Sequence, residues 1–244
     1  MSFPSACCNT PPVVANYTTK GEYGKLGDFD CYFAGSKGSK RGIFVNYDVF
    51  GFHPNVLQLC DILGGLGFYV VLPDLLHGMP LTMADLGKPE VLRNFMHTAG
   101  SWGTNKQAYI QGIEHLHGSG ATSVGLVGFC WGGKMVVTAL EDLDGFVGGA
   151  IVHPAMVVSD DFAKVKAPLM ALPSKDEDMG LYKSGFAGLK ADKPFGAQCR
   201  LESFEDMTHG FCGARGDWAD PAIAKRANDV IQLLVTFFND IMLK

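Results

Sequence analysis

The 244-residue sequence carries no excess of basic side chains: 20 lysines and arginines stand against 25 aspartates and glutamates, a formal net charge of −5. A nucleic-acid surface is built around a cationic patch, so that class of partner is excluded. No segment approaches the roughly 20 consecutive apolar residues that span a bilayer. The first residues, Met-Ser-Phe-Pro-Ser-Ala-Cys-Cys, lack the basic start and apolar run of a secretory signal, so a cytoplasmic location without a membrane partner is expected. Seven cysteines are scattered without a repeated spacing and without a Cys-x-x-Cys pair, as free thiols in a reducing compartment would be. The adjacent Cys7 and Cys8 read as mobile terminal thiols. Metal spacing is missing as well. His115 and His117 are two apart on an expected helix and so face different directions. Gly132-Gly133-Lys134 lacks the full phosphate-loop spacing. No metal and no cofactor are expected. Internal repeats, low-complexity tracts and linkers are also absent.

What is present is apolar material for one large core: 47% hydrophobic against 18% charged residues. The length suits a single α/β domain over 1–244, with residues 1–30, rich in Pro, Gly, Thr and Asn, as an arm carrying a short early strand. From Arg41 a regular alternation begins. Buried strands are expected at Gly42–Tyr47, Phe68–Leu72, Ser123–Val127, Gly148–Val152, Pro168–Leu172 and Cys199–Phe204. Helices are expected at Pro54–Leu66, Lys106–His117, from Met135 to Leu140, and at Pro221–Phe238, with loops and short helices over residues 78–102. Strands alternating with helices imply a mostly parallel sheet covered on both faces.

The sharpest motif is Gly128-Phe129-Cys130-Trp131-Gly132, followed by Gly133. It fits the nucleophile elbow G-x-S-x-G with cysteine in place of serine. A strand turning abruptly into a helix forces its central residue into a strained conformation and needs small neighbours where the chain meets itself. The side chain of Cys130 is then presented at the carboxyl edge of the sheet, with the N–H of Trp131 directed at a developing oxyanion. The positive end of the helix beneath the thiol favours the thiolate. A thiol nucleophile needs a base, and only His153 and His209 follow Cys130. His209, in Met-Thr-His-Gly-Phe before the last helix, occupies the place for a catalytic histidine. His153, at the end of the strand Gly148–Val152, either lines the pocket or, the favoured reading, is a buried, hydrogen-bonded histidine. The acid is expected after Pro168–Leu172, in Asp176-Glu177-Asp178. Asp176 is the choice and Asp178 the reserve, with Asp206 disfavoured by the order of the triad.

With these residues in hand, the chain from about Gly42 to the last helix resembles the dienelactone hydrolase (carboxymethylenebutenolidase) family. The motifs are Tyr47-Asp48-Val49-Phe50-Gly51, Pro73-Asp74, Gly-Phe-Cys-Trp-Gly-Gly, Lys175-Asp176 and His209-Gly210-Phe211. The resemblance implies an α/β-hydrolase fold and a Cys130–Asp176–His209 triad. It also implies an oxyanion hole from the N–H groups of Val49 and Trp131. The family's thiol-activating glutamate is replaced here by Asp48, one methylene shorter. Arg215 resembles an arginine that binds the carboxylate of a lactone substrate. The partner so implied is a small-molecule ester or lactone, turned over by a monomer or homodimer. Two further readings stay open: a thioesterase or general carboxylesterase, and a non-enzymatic binding member of the fold.

Overall fold

The computed structural model describes residues 10–242. Cys7 and Cys8 lie outside them. The chain enters along an extended arm and turns through a hairpin of β1 (Glu22–Leu26) and β2 (Phe29–Ala34), reversing at Gly27 with φ 59°. The end of the arm nearest β1 is fastened by one carboxylate. Asp61 accepts from the Tyr17 hydroxyl and the Lys20 N–H, both at 2.8 Å, and from the Tyr32 hydroxyl at 2.5 Å.

Six further strands complete the sheet: β3 (Arg41–Asn46), β4 (Tyr69–Pro73), β5 (Ser123–Phe129), β6 (Gly148–Val152), β7 (Leu169–Leu172) and β8 (Arg200–Leu201). Their spatial order is β1-β2-β4-β3-β5-β6-β7-β8. β2 runs antiparallel to both neighbours, and every pairing from β4 to β8 is parallel. β4, β6 and β7 are buried at every residue. Consecutive side chains of a strand point to opposite faces, so both faces of this sheet are covered. The covering helices are α1 (Pro54–Gly65), α2 (Met83–Leu86), α3 (Pro89–His97), α4 (Trp102–Gly118), α5 (Trp131–Asp142), α6 (Ser159–Lys164), α7 (Met179–Asp192) and α8 (Pro221–Met242). The result is a mostly parallel α/β-hydrolase fold. Among the described residues no helix is long and apolar enough to cross a membrane.

Three elements depart from the sequence expectation. The strand expected over Cys199–Phe204 shrinks to Arg200–Leu201, followed by one bridge between Ser174 and Phe204. Phe204 N–H still reaches Pro173 O at 2.8 Å, but Pro173 has no N–H to return, and a ladder cannot continue through it. The helices α6 and α7 were not expected. Gly180, Gly185 and Gly188 dilute the apolar periodicity of α7, and α6 is only six residues long.

β3 has β4 on one side and β5 on the other, so the chain reverses its direction of travel across the sheet between them. Ligand sites in open α/β sheets form outside the carboxyl ends of the strands at such a switch point. The segments Tyr47–Phe50 and Cys130–Trp131 leave β3 and β5 at that edge.

Candidate active site

Cys130 sits between the end of β5 and the start of α5 with φ 53° and ψ −118°. A non-glycine residue there is strained, and such strain persists only where the surroundings hold it. The holding contacts are backbone ones. Cys130 N–H donates to Val152 O at 3.2 Å, and Cys130 O accepts from Gly133 N–H at 3.0 Å and Ala155 N–H at 2.9 Å. The flanking glycines are required by contact. A Cβ on Gly128 would stand 2.2 Å from Gly132 O, and one on Gly132 would stand 2.6 Å from both Asn46 O and Tyr47 O. The first turn of α5 therefore rests directly on the end of β3. Asn46 supports the same junction from inside the core, its amide donating to Gly132 O at 3.4 Å and to the Tyr109 hydroxyl.

Val49 lies on the segment that leaves β3, two residues beyond Tyr47. Val49 and Trp131 are both fully buried. Val49 O accepts from Leu81 N–H at 2.8 Å, and the Trp131 indole donates to Gly100 O at 3.1 Å.

His209 lies on the loop between β8 and α8 and is fully buried. The carboxylate that meets its imidazole is Glu177, not the expected Asp176: Glu177 Oε1 lies 2.7 Å from His209 Nδ1. The other Glu177 oxygen accepts from Ser174 N–H, so the side chain is folded back under its own turn. Asp176 holds the histidine differently, with Oδ2 accepting from the His209 backbone N–H at 2.7 Å. The reserve residue, Asp178, caps the start of α7 through Gly180 N–H at 2.9 Å. Lys175 N–H donates to Met207 O at 3.1 Å and closes the junction between the acid loop and the histidine loop. Three adjacent carboxylates therefore do three different things, and the middle, longer one reaches the ring.

Asp48 is buried, and its two oxygens accept from Phe50 N–H and Ala214 N–H, each at 2.9 Å. Burial pushes its carboxyl above the usual carboxylate range, opposed by those two N–H groups and then by the charges of Arg215 and His53. It joins the β3 loop to the histidine loop. Arg215 is buried, with its guanidinium 4.7 Å above the Phe50 ring and its Nε donating to Thr10 O. The arm reaches the same loop again through Val13 N–H to Ala214 O at 2.8 Å.

Sequence reasoning read His153 as a buried, hydrogen-bonded residue. It is fully buried, but neither ring nitrogen has a hydrogen-bond partner among the described residues. Its ring centre lies 5.2 Å from that of His209 and 5.7 Å from those of Phe129 and Phe211. Among the described residues no group of three or more His, Cys, Asp or Glu side chains is arranged to hold a metal ion.

Comparison with known proteins places the chain in a family. The model of the dienelactone hydrolase family matches residues 29–242. An uncharacterized AIM2 family protein of Schizosaccharomyces pombe is 34% identical, over 98% of this chain and 100% of its own. The human carboxymethylenebutenolidase homolog is 22% identical over 83% of each chain. Among solved structures, a Klebsiella pneumoniae protein provisionally named a dienelactone hydrolase superposes with a TM-score of 0.72 at 14% identity. That match covers 89% of this chain and 97% of the other, and shows a shared fold.

Proposed function

The chain belongs to the dienelactone hydrolase family, a family of hydrolases, and from that premise we propose that it cleaves esters or lactones with Cys130 as nucleophile. The observation that carries this reading is the strained backbone of Cys130 at the strand-to-helix junction, φ 53° and ψ −118°. A buried, structural cysteine has no need of that conformation.

In this mechanism His209 takes the proton of the Cys130 thiol. Its Nδ1 is engaged by Glu177, so proton exchange falls to Nε2. The carboxylate fixes the tautomer and stabilises the imidazolium, as the acid does in any nucleophile–histidine–acid array. The thiolate attacks the ester carbonyl, and the N–H groups of Val49 and Trp131 receive the oxyanion. Donors of this kind each contribute about 3 kcal/mol to transition-state stabilisation. The carbon–oxygen bond to the leaving group breaks, and the departing alkoxide takes its proton from His209. Water, deprotonated by His209, then attacks the acyl-thiol and restores Cys130. In the tetrahedral adduct of an amide the thiolate is a better leaving group than the nitrogen and departs in its place, which favours lactones and activated esters over amides.

Arg215 is assigned to an anionic substituent of the substrate, at a place where it now donates to Thr10 O. Asp48 acts on the site through the loops that it joins. The test compares hydrolysis of p-nitrophenyl acetate and a panel of dienelactones by the parent and by Cys130→Ala. The expected result is a fall in kcat of about 10³-fold or more, given the size of nucleophile deletions. Equal activity of parent and variant contradicts the assignment.

A further inference from the structure

The mechanism above leaves one polar group in the site unused. His153 follows β6, and its backbone N–H donates to Leu172 O at 2.9 Å. Its φ is 35°, and Met156, three residues on, has φ 62°. With Cys130 at 53° and His77 at 52°, all four non-glycine residues of positive φ among the described residues follow β4, β5 or β6 at the carboxyl edge of the sheet. Strain gathered at a site marks a side chain held there for a task.

The ring itself is the second observation. It packs against Phe129, His209 and Phe211, and its Cε1–Nε2 edge faces Gly213. A Cβ at that glycine would lie 3.5 and 3.6 Å from those two atoms and 2.7 Å from Asp48 Oδ2. An aromatic cage of this kind would be filled at lower cost by phenylalanine, because a buried imidazole with no partner forfeits the hydration of both nitrogens. Burial holds the ring neutral, helped by the positive charge that His209 gains and then by Arg215, with the residue's own carbonyl opposing. A neutral imidazole presents one N–H donor and one lone pair. It therefore suits an uncharged oxygen function better than a carboxylate. Arg215 lowers the Asp48 carboxyl only against the larger upward push of burial, and with Arg215 assigned to an anionic substituent, an uncharged oxygen is left to His153.

We infer that His153 is a specificity-determining residue that hydrogen-bonds an uncharged oxygen on the acyl part of the substrate, a hydroxyl, enol or keto group adjacent to the ester carbonyl. The inference rests on the ester-hydrolase reading and names the substrate class of that same site. The closeness of His153 to the nucleophile follows from the fold. Phe129, against which the ring packs, is the residue before Cys130, and Ala155, two residues past His153, bonds Cys130 O.

The experiment measures kcat/KM for p-nitrophenyl 2-hydroxybutanoate and p-nitrophenyl butanoate, each divided by its own rate of alkaline hydrolysis. The parent, His153→Phe, His153→Asn and Cys130→Ala are compared. The parent should prefer the hydroxylated ester, and His153→Phe, which keeps a ring in the cage, should lose that preference by about tenfold, the scale of one net hydrogen bond. The unsubstituted ester should change less than about twofold, and His153→Asn, which restores a donor and an acceptor, should recover part of the preference. No preference in the parent overturns the inference even if the phenylalanine variant does not fold. Equal loss on both esters overturns it too, leaving His153 a positioning or structural residue. Cys130→Ala separates the two claims. If it retains activity, the nucleophile reading fails. If it is inactive while His153→Phe keeps the preference, only the present inference fails.

Discussion

Glu177 and Asp176 grip the same histidine at different atoms, and the difference decides what each removal should do. Glu177→Gln leaves a neutral amide opposite Nδ1, where imidazolium formation wants a charge. Its kcat should fall about 10²- to 10³-fold with little change in fold. Asp176→Asn weakens a bond to backbone, so it should lower stability by about 2 kcal/mol, the scale of a hydrogen bond to a charged group. Its kcat should stay within about tenfold of the parent's. Steady-state kinetics and denaturant melts on both variants read the contrast. The three carboxylates in a row were visible in the sequence, but which of them turns inward was not. That choice is made by the Ser174 N–H, which draws Glu177 back under its own turn, and by a side chain one methylene longer than its neighbours'. The orphan nitrogens of His153 were equally invisible, since a histidine at a strand end says nothing of its partners. They carry a pH dependence. The folded-state pKa of His153 lies well below its ordinary 6.5, so the unfolded chain binds the proton first as pH falls. Stability from this group is fully present above about 6.5 and is lost as the pH drops from there toward the folded pKa, by at most about 1.4 kcal/mol per unit. Thermal melts between pH 7 and 5 should therefore fall less steeply for His153→Phe than for the parent.

At the scale of elements, the elbow is a contact between the end of β3 and the first turn of α5. Gly132→Ala places a methyl carbon 2.6 Å from two carbonyl oxygens of the backbone, and neither is a flexible chain end that could swing aside. The variant should lose about 3 kcal/mol or more of stability, the upper end of overpacking costs. An unchanged denaturation midpoint would show that the junction gives way more easily than this packing implies. The strand β5, the elbow and the helix after it were legible because an apolar run, a glycine-flanked cysteine and a helical stripe follow one another in the chain. β8 was overestimated for the opposite reason. Its apolar pattern extends to Phe204, but the neighbouring Pro173 cuts the ladder short. The helix α7 escaped notice because its glycines blur the periodicity on which the reading depends.

At the scale of the molecule, the sheet order explains why residues separated by up to 160 positions share one edge. β3 and β5 deliver Val49 and Cys130 to the switch point, β7 leads into the loop of Asp176 and Glu177, and the chain after β8 returns with His209. The order of these motifs along the sequence is the one in which α/β-hydrolases present nucleophile, acid and histidine, which is why one shared edge is expected for them. The arm over the Arg215 loop was not anticipated, since its hold rests on backbone atoms of Thr10 and Val13, which leave no trace in residue type. The proposed chemistry requires a covalent bond to one sulfur, that of Cys130. The direct measurement is peptide mass spectrometry on protein mixed with p-nitrophenyl acetate and quenched in acid during the first turnover. An acetyl group on the peptide containing Cys130, absent from Cys130→Ala, is the result predicted. Turnover without that adduct, or an acetyl group on another residue in the still-active variant, would contradict it.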